Sequence, residues 1–248
     1  MRFASKPLLR PVLLRCATLS LAIALAGASA SSAFAQSSPA SVAALETPPD
    51  EVAPGQTVSD SVVDLAGWVL ATEDNRGLPF AVIDKTAAQI LIFGVDGKLQ
   101  GMASVLIGSA VGDTSAEGVG DRELKDIPKI DRTTPAGRFL AGYGPAAGGE
   151  RVLWVDYATS VSIHPVLVSK ASKREKRKER LASAKPDDNR ITHGCINVSA
   201  DFYKKIVSKV FKDGGIFYVL PDTMTAQEAF PGYAPPALLA SATAPLAR

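Results

Sequence analysis

Cys195 stands in the run Thr192-His193-Gly194-Cys195-Ile196-Asn197, one residue after a glycine and two after a histidine. The chain holds two cysteines and two histidines. The other histidine, His164, ends a β-branched run upstream, and the other cysteine, Cys16, lies in the N-terminal segment. A thiol attacks a carbonyl carbon as its thiolate, and a nearby imidazole takes the proton. The residue types therefore point to Cys195 as a nucleophile with one of the two histidines, His164 or His193, as its base. Gly194 permits a tight turn, and such a turn presents backbone N–H groups toward the nucleophile, where they can stabilise a developing oxyanion. Arg190, the basic residue nearest the motif, reads equally as the partner of a substrate carboxylate or as half of a structural salt bridge. Cys195 as a merely buried small side chain is the plain alternative. A zinc site built from His164, His193 and Cys195 lacks a fourth ligand, so neither metal nor cofactor is expected.

The elements that must position these residues are mostly strands. Phe80-Ala81-Val82-Ile83-Asp84, residues 89–95 and residues 102–107 read as strands, with Asp96-Gly97 as a hairpin turn between the second and third. Residues 108–131 read as a long surface loop, and Thr134-Pro135-Ala136-Gly137 as a turn leading into an extended segment. Residues 152–157 and 161–164 are further short strands, so His164 sits at a strand end. Residues 170–184 suit an exposed helix carrying the basic run 170–180, whose plain reading is a solvated face with i,i+4 ion pairs. Its functional reading is a lid that attracts carboxylates. Ser199 caps a further helix, whose apolar face is Phe202, Tyr203, Ile206, Val207, Val210 and Phe211 and which Gly214-Gly215 stops. Residues 216–220 form a last buried strand. The expected fold is mainly β (α+β), with one or two helices near its C-terminal part, in one domain over 62–222.

The ends of the chain differ in character. Residues 1–35 combine Arg2, Lys6, Arg10 and Arg15, an apolar run over 19–28 and the small-x-small site Ala33-Phe34-Ala35. This reads as a cleavable signal peptide, too short and alanine-rich to span a membrane. Residues 36–61 read as a flexible Ser/Ala/Pro-rich linker, and 223–248 as an Ala/Pro-rich tail. Removing the leader leaves 23 basic against 25 acidic residues, a net charge of −2, so charge offers no argument for nucleic-acid binding. The expected location is periplasmic, with no stable membrane insertion after cleavage. There Cys195 has no second cysteine to pair with, which favours a reactive role.

Thr192-His193-Gly194-Cys195-Ile196-Asn197 resembles the Ser/Thr-His-Gly-Cys-aliphatic-Arg/Asn signature of the YkuD-type L,D-transpeptidases, peptidoglycan cysteine transpeptidases. Ile163-His164 is similar to that family's first histidine, and Thr134-Pro135-Ala136-Gly137-Arg138-Phe139 to its Thr-Pro-x-Gly-x-Phe block. The resemblance spans residues 80–220. It implies a β-sandwich or barrel with Cys195 as nucleophile, His164 as general base, the Pro165 carbonyl orienting the ring and the N–H groups of His193, Gly194 and Cys195 as oxyanion donors, which leaves the His193 ring a supporting role. It also implies peptidoglycan stem peptides as substrate. A thioester forms with loss of a terminal D-alanine, and an amine from a second stem or a lipoprotein resolves it. Arg190 and Asn197 are assigned to substrate binding. The interval from His164 to Thr192 is longer than usual in the family and contains the basic run. A hydrolase of the same fold and a non-catalytic cell-wall-binding protein are the alternative readings.

Overall fold

The structure is a computed structural model that describes residues 57–146 and 149–235. The expected signal peptide, most of the linker and the end of the tail lie outside the described residues. The chain is mainly β. Among the described residues ten strands run in order: β1 Phe80–Asp84, β2 Gln89–Phe93, β3 Leu99–Ser104, β4 Ile107–Gly108, β5 Gly137–Pro145, β6 Arg151–Asp156, β7 Val161–Pro165, β8 Arg190–Thr192, β9 Ile196–Val198 and β10 Gly215–Val219. Eight of them form one mixed sheet in the order β3-β2-β1-β10-β5-β6-β7-β9, and β4 pairs with β8 separately. The sheet nearly closes on itself. Just past β3, Leu106 exchanges two hydrogen bonds of 2.8 Å with Asn197 of β9, at the far end of the strand order.

The central strands are buried on both faces, which explains their unbroken apolar sequence. Side chains alternate across a strand. Ala81, Ile83, Ile90, Ile92, Phe217 and Val219 enter one core with Phe202 and Val207 of the helix at 200–210 and with Phe211, which ends it. The middle of that helix, Tyr203–Val207, is wound as a π-helix. Phe80, Val82, Leu91, Phe93, Ile216 and Tyr218 enter a second core on the opposite face.

The second core is covered by an element that the strand-based reading omits, α1 over Asp60–Thr72. Its buried Val62, Leu65, Ala66, Trp68 and Val69 repeat at helical spacing, and the Ser59 hydroxyl accepts from the Val62 N–H to cap it. Helices are therefore not confined to the C-terminal part. Residues 223–235, read from sequence as the start of a tail, also pack here. A capped turn over Ala226–Ala229 seats Phe230, 1 % exposed, against Tyr218, and Tyr233 meets Trp68 edge-to-face. Two aromatic residues supply enough apolar area to hold an otherwise Ala/Pro-rich segment.

The strap between β4 and β5 is fastened by a buried charge knot. Lys85 Nζ, with its side chain 1 % exposed, donates to the Gly112 and Thr134 carbonyls at 2.6 and 3.0 Å and to Asp113 Oδ1 at 2.8 Å. Asp113 also accepts from the N–H groups of Asp222, Thr223 and Met224. Burial pushes its carboxyl up, but the Lys85 ammonium and these donors outweigh burial and hold it well below the usual carboxylate range. Asp113→Ala should cost about 3–5 kcal/mol of stability, because Lys85 keeps only the longer carboxylate contact, to Asp222 Oδ2 at 3.3 Å, and the N–H groups of Asp222, Thr223 and Met224 lose their acceptor. The folded pKa lies below the unfolded value of about 3.9, so this contribution is complete above that pH. It drains away as acid carries the pH down through the lowered value. Urea denaturation at pH 7 and pH 3 checks both points, and the variant should lose part of the wild-type acid sensitivity.

Candidate active site

Strands β7 and β9 run parallel, with Ile163 opposite Ile196, His164 opposite Asn197 and Pro165 opposite Val198. Alternation puts Ser162 on the His164 face of β7. Cys195, two residues before Asn197, continues the corresponding face of β9. The result is a two-by-two array. Ser162 Oγ lies 3.6 Å from Cys195 Sγ, and His164 Nε2 lies 3.0 Å from Asn197 Nδ2. His164 Nδ1 lies 3.0 Å from the Pro165 carbonyl, as the family resemblance implies. The thiol also reaches the Ser160 carbonyl at 3.6 Å, and Cys195 is half-buried.

Electrostatics couple the thiol and the ring. Burial pushes the Cys195 thiol up, but hydrogen bonding from His164 and from the Ser162 N–H and hydroxyl outweighs it, and the thiol lies below its ordinary value. Burial pushes the His164 imidazolium down, but hydrogen bonding and charge at Cys195, with the Pro165 carbonyl, bring it above its ordinary value. The Arg177 cation pulls the ring the other way. Each partner thus favours the charged form of the other.

The turn before Cys195 is tied from two sides. Gly194 has φ +132°, and a Cβ there would lie 2.8 Å from the Thr133 carbonyl oxygen, so glycine is required. Thr134 Oγ1 donates to the Gly194 carbonyl at 2.7 Å and accepts from the Gly108 N–H at 2.9 Å. Thr192 Oγ1 donates to the Cys195 carbonyl at 2.7 Å and accepts from the Gly194 N–H at 3.2 Å. The Gly194 N–H is therefore spent inside the turn. Of the three oxyanion donors expected from sequence, the N–H groups of His193 and Cys195 remain.

The other predicted residues fall differently. His193 is half-buried among Arg132, Arg177 and Glu175. Burial first, then the two cations, hold its imidazolium below the ordinary value. Arg190 is turned away from the array. Its guanidinium donates to Asp222 Oδ1 at 2.7 Å and to the Lys85 carbonyl at 3.2 Å, joining the charge knot, so its position gives no support to a substrate carboxylate. Asn197 is fully buried, its side chain shared between His164 and Arg177, and it supports the ring rather than facing solvent.

The basic run is not one solvated helix. It forms α2, Lys170–Arg174, and α3, Arg177–Leu181, broken at Lys176, whose φ is +53°. Arg177 turns inward to Asn197 Oδ1 at 2.7 Å and to Glu175 at 2.7 Å, while Arg180 donates to the Glu175 and Asp188 carbonyls. Lys170, Lys173, Arg174 and Lys178 stay exposed. An open pocket of about 420 Å³ adjoins the array at Ser160 and is walled by Gly120, Asp121, Trp154 and Tyr157. A larger hollow of about 530 Å³ contains none of these residues. Among the described residues no cluster of His, Cys, Asp or Glu could hold a metal ion, and no helix is long and apolar enough to cross a membrane.

Sequence does not single out Ser162, marks Thr134 only as the start of a turn motif, and counts Arg177 only as one cation of the basic run. Ser162 was within reach, because a strand ending in His164 must carry residue 162 on the same face. Arg177 was not, since nothing in a charge run distinguishes the one cation that turns inward.

No family model and no curated protein matches the sequence. Solved structures similar to the chain include an L,D-transpeptidase from Mycobacterium smegmatis, 19 % identical over 57 % of this chain and 58 % of that one, with a TM-score of 0.33. The catalytic domain of the E. faecium L,D-transpeptidase is 17 % identical over 57 % of this chain and 95 % of that one, TM-score 0.34. The helical cell shape determining protein Pgp2 from Campylobacter jejuni is 17 % identical over 59 % of this chain and 49 % of that one, TM-score 0.37. The match thus spans less than three fifths of the first of these structures. With TM-scores below 0.5, these likenesses carry no argument.

Proposed function

We propose that this chain is an exported cysteine acyltransferase of L,D-transpeptidase type, which acts on peptidoglycan stem peptides through a thioester on Cys195. The observation that supports this reading best is the Ser162, His164, Cys195, Asn197 array, in which a thiol with a lowered pKa shares a strand face with an imidazole whose pKa is raised. His164 takes the Cys195 proton, and Sγ attacks the carbonyl of the third stem residue. The N–H groups of Cys195 and His193 stabilise the tetrahedral oxyanion. Collapse breaks the amide bond, and the D-alanine amine leaves with the proton from His164. The acceptor amine then attacks the thioester, gives its proton to His164 and releases the Cys195 thiolate. The pocket at Ser160 is the assigned place for the stem peptide, because it adjoins the thiol. The N-terminal leader supports a periplasmic location.

Incubation of the mature protein with defined tetrapeptide muropeptides tests the proposal. Cross-linked dimers with release of D-alanine are the expected products. Release of D-alanine with a tripeptide product alone favours the hydrolase, and unchanged substrate retires both.

The exposed cations of the 170–180 segment are proposed to draw anionic stem peptides toward the site. Arg177 is structurally committed and must be left out of the test. Reversing Lys173, Arg174 and Lys178 to glutamate should raise KM at low salt and leave kcat nearly unchanged. The defect should shrink with added salt, because exposed charges are screened beyond about 8 Å at physiological ionic strength. Steady-state kinetics at two salt concentrations check this, and an unchanged KM marks the cations as merely solubilising.

A further inference from the structure

The basic segment reaches the candidate base through one buried amide. Asn197 is 0 % exposed, and both ends of its amide are used. Oδ1 accepts from Arg177 Nη1 at 2.7 Å, and Nδ2 faces His164 Nε2 at 3.0 Å. A guanidinium has donors and no acceptor, so the amide faces only one way: its oxygen toward Arg177 and its NH₂ toward the ring. An NH₂ group meeting a ring nitrogen requires that nitrogen to present its lone pair. The proton of the neutral ring then sits on Nδ1, which finds the Pro165 carbonyl, an acceptor only, at 3.0 Å.

We infer that Arg177 is a positioning residue that acts through Asn197 to hold His164 as the Nδ1–H tautomer and to limit its basicity. The inference deepens the proposed function by naming what tunes the base. The tautomer leaves Nε2 as the basic atom of the ring. Protonating Nε2 sets its new N–H against the Asn197 NH₂. Turning the amide over to relieve this sets that NH₂ against the guanidinium. Arg177 therefore disfavours the imidazolium twice, by its charge and by fixing the amide. The charged and titratable groups around the ring act from several elements: Cys195 beside β9, Arg177 from the 170–180 segment, and, around neighbouring His193, Arg177 and Glu175 from that segment and Arg132 from the strap. Glu175 is paired with Arg177 at 2.7 Å, and its carboxylate favours the imidazolium of His193, so the His193 signal serves as the control for a freed Glu175. Arg177 itself is anchored, since Glu175 and Asn197 hold its guanidinium at two points.

The chain has only two histidines, so ¹⁵N-histidine labelling gives a direct readout, and a His193→Gln variant assigns the signals. Above the ring's titration, wild-type His164 should show a protonated Nδ1 and an unprotonated Nε2. In a Cys195→Ala background, where the ring titrates without its thiol partner, Arg177→Met should raise the His164 midpoint by about half a pH unit or more, about a threefold change in the protonation equilibrium. Arg177→Lys, which keeps both the charge and a donor, should restore tautomer and midpoint. Asn197→Asp, which offers the ring an acceptor, should move the proton to Nε2 and raise the midpoint further. If Arg177→Met does not fold, Asn197→Asp carries the test. A wild-type Nε2–H tautomer, or a midpoint that neither substitution moves, overturns the inference. A merely structural Arg177 would lower Tm and leave tautomer and midpoint alone. None of these readouts uses peptidoglycan, so a failure here and a failure of the proposed activity are distinguishable.

Discussion

Cys195→Ala should lower turnover of tetrapeptide muropeptides by about 10⁴-fold or more, since no other described residue is placed to form the thioester. The fold should survive. Cys195 lies outside the apolar cores, and its contacts to Ser160 and Ser162 are long at 3.6 Å, so the melting temperature should move little. The wild-type thiol should also alkylate faster at pH 7 than a free cysteine, whose pKa is about 8.5, because His164 and Ser162 favour its thiolate. Iodoacetamide labelling across pH 5–9 reads this directly. Reaction should begin at lower pH than for a model thiol, and His164→Ala should push the onset back up.

His164→Ala should slow acylation by roughly 10²–10⁴-fold, the range for losing a general base. His193→Ala should cost less. His193 is surrounded by Arg132 and Arg177 and held neutral, and its place near the turn suits contact with substrate better than proton transfer from a thiol. Single-turnover kinetics separate the two, since acylation is then observed without the later attack of the acceptor amine. A His193 defect larger than the His164 defect, with both variants folded, would exchange their roles.

Of the two strands that carry the array, β7 was legible because its signal is local: Val161-Ser162-Ile163-His164 alternates, and the period of two puts Ser162 on the His164 face. The three-residue β9 was not, because it is too short to show a period between the glycine turn and the helix that Ser199 caps. What brings Ser162 and His164 to Cys195 and Asn197 is the parallel register of β7 and β9, 33 residues apart at His164 and Asn197, and register between distant strands leaves no mark in local sequence. The helix α1 was present as spacing, Val62, Leu65, Ala66 and Val69, but Gly67 and the adjoining Ser/Thr-rich stretch masked it. Arg190 and Arg177 show the limit most clearly. Both are arginines near the motif, and sequence proximity favoured Arg190. The structure commits Arg190 to Asp222 and brings Arg177, eighteen residues before Cys195 in sequence, to the amide beside the candidate base. Which cation turns inward depends on where the carboxylates and carbonyls lie in space, and that is decided only once the sheet has closed.

The most direct test of the account is intact-protein mass spectrometry of the mature chain mixed with a tetrapeptide stem and no acceptor. The account predicts a covalent adduct with the mass of the stem peptide less its terminal D-alanine, released by hydroxylamine as a thioester should be, mapped to Cys195 after proteolysis and absent from Cys195→Ala. A folded wild-type protein that stays at its unmodified mass while Cys195 alkylates readily, or an adduct that persists in Cys195→Ala, would contradict it.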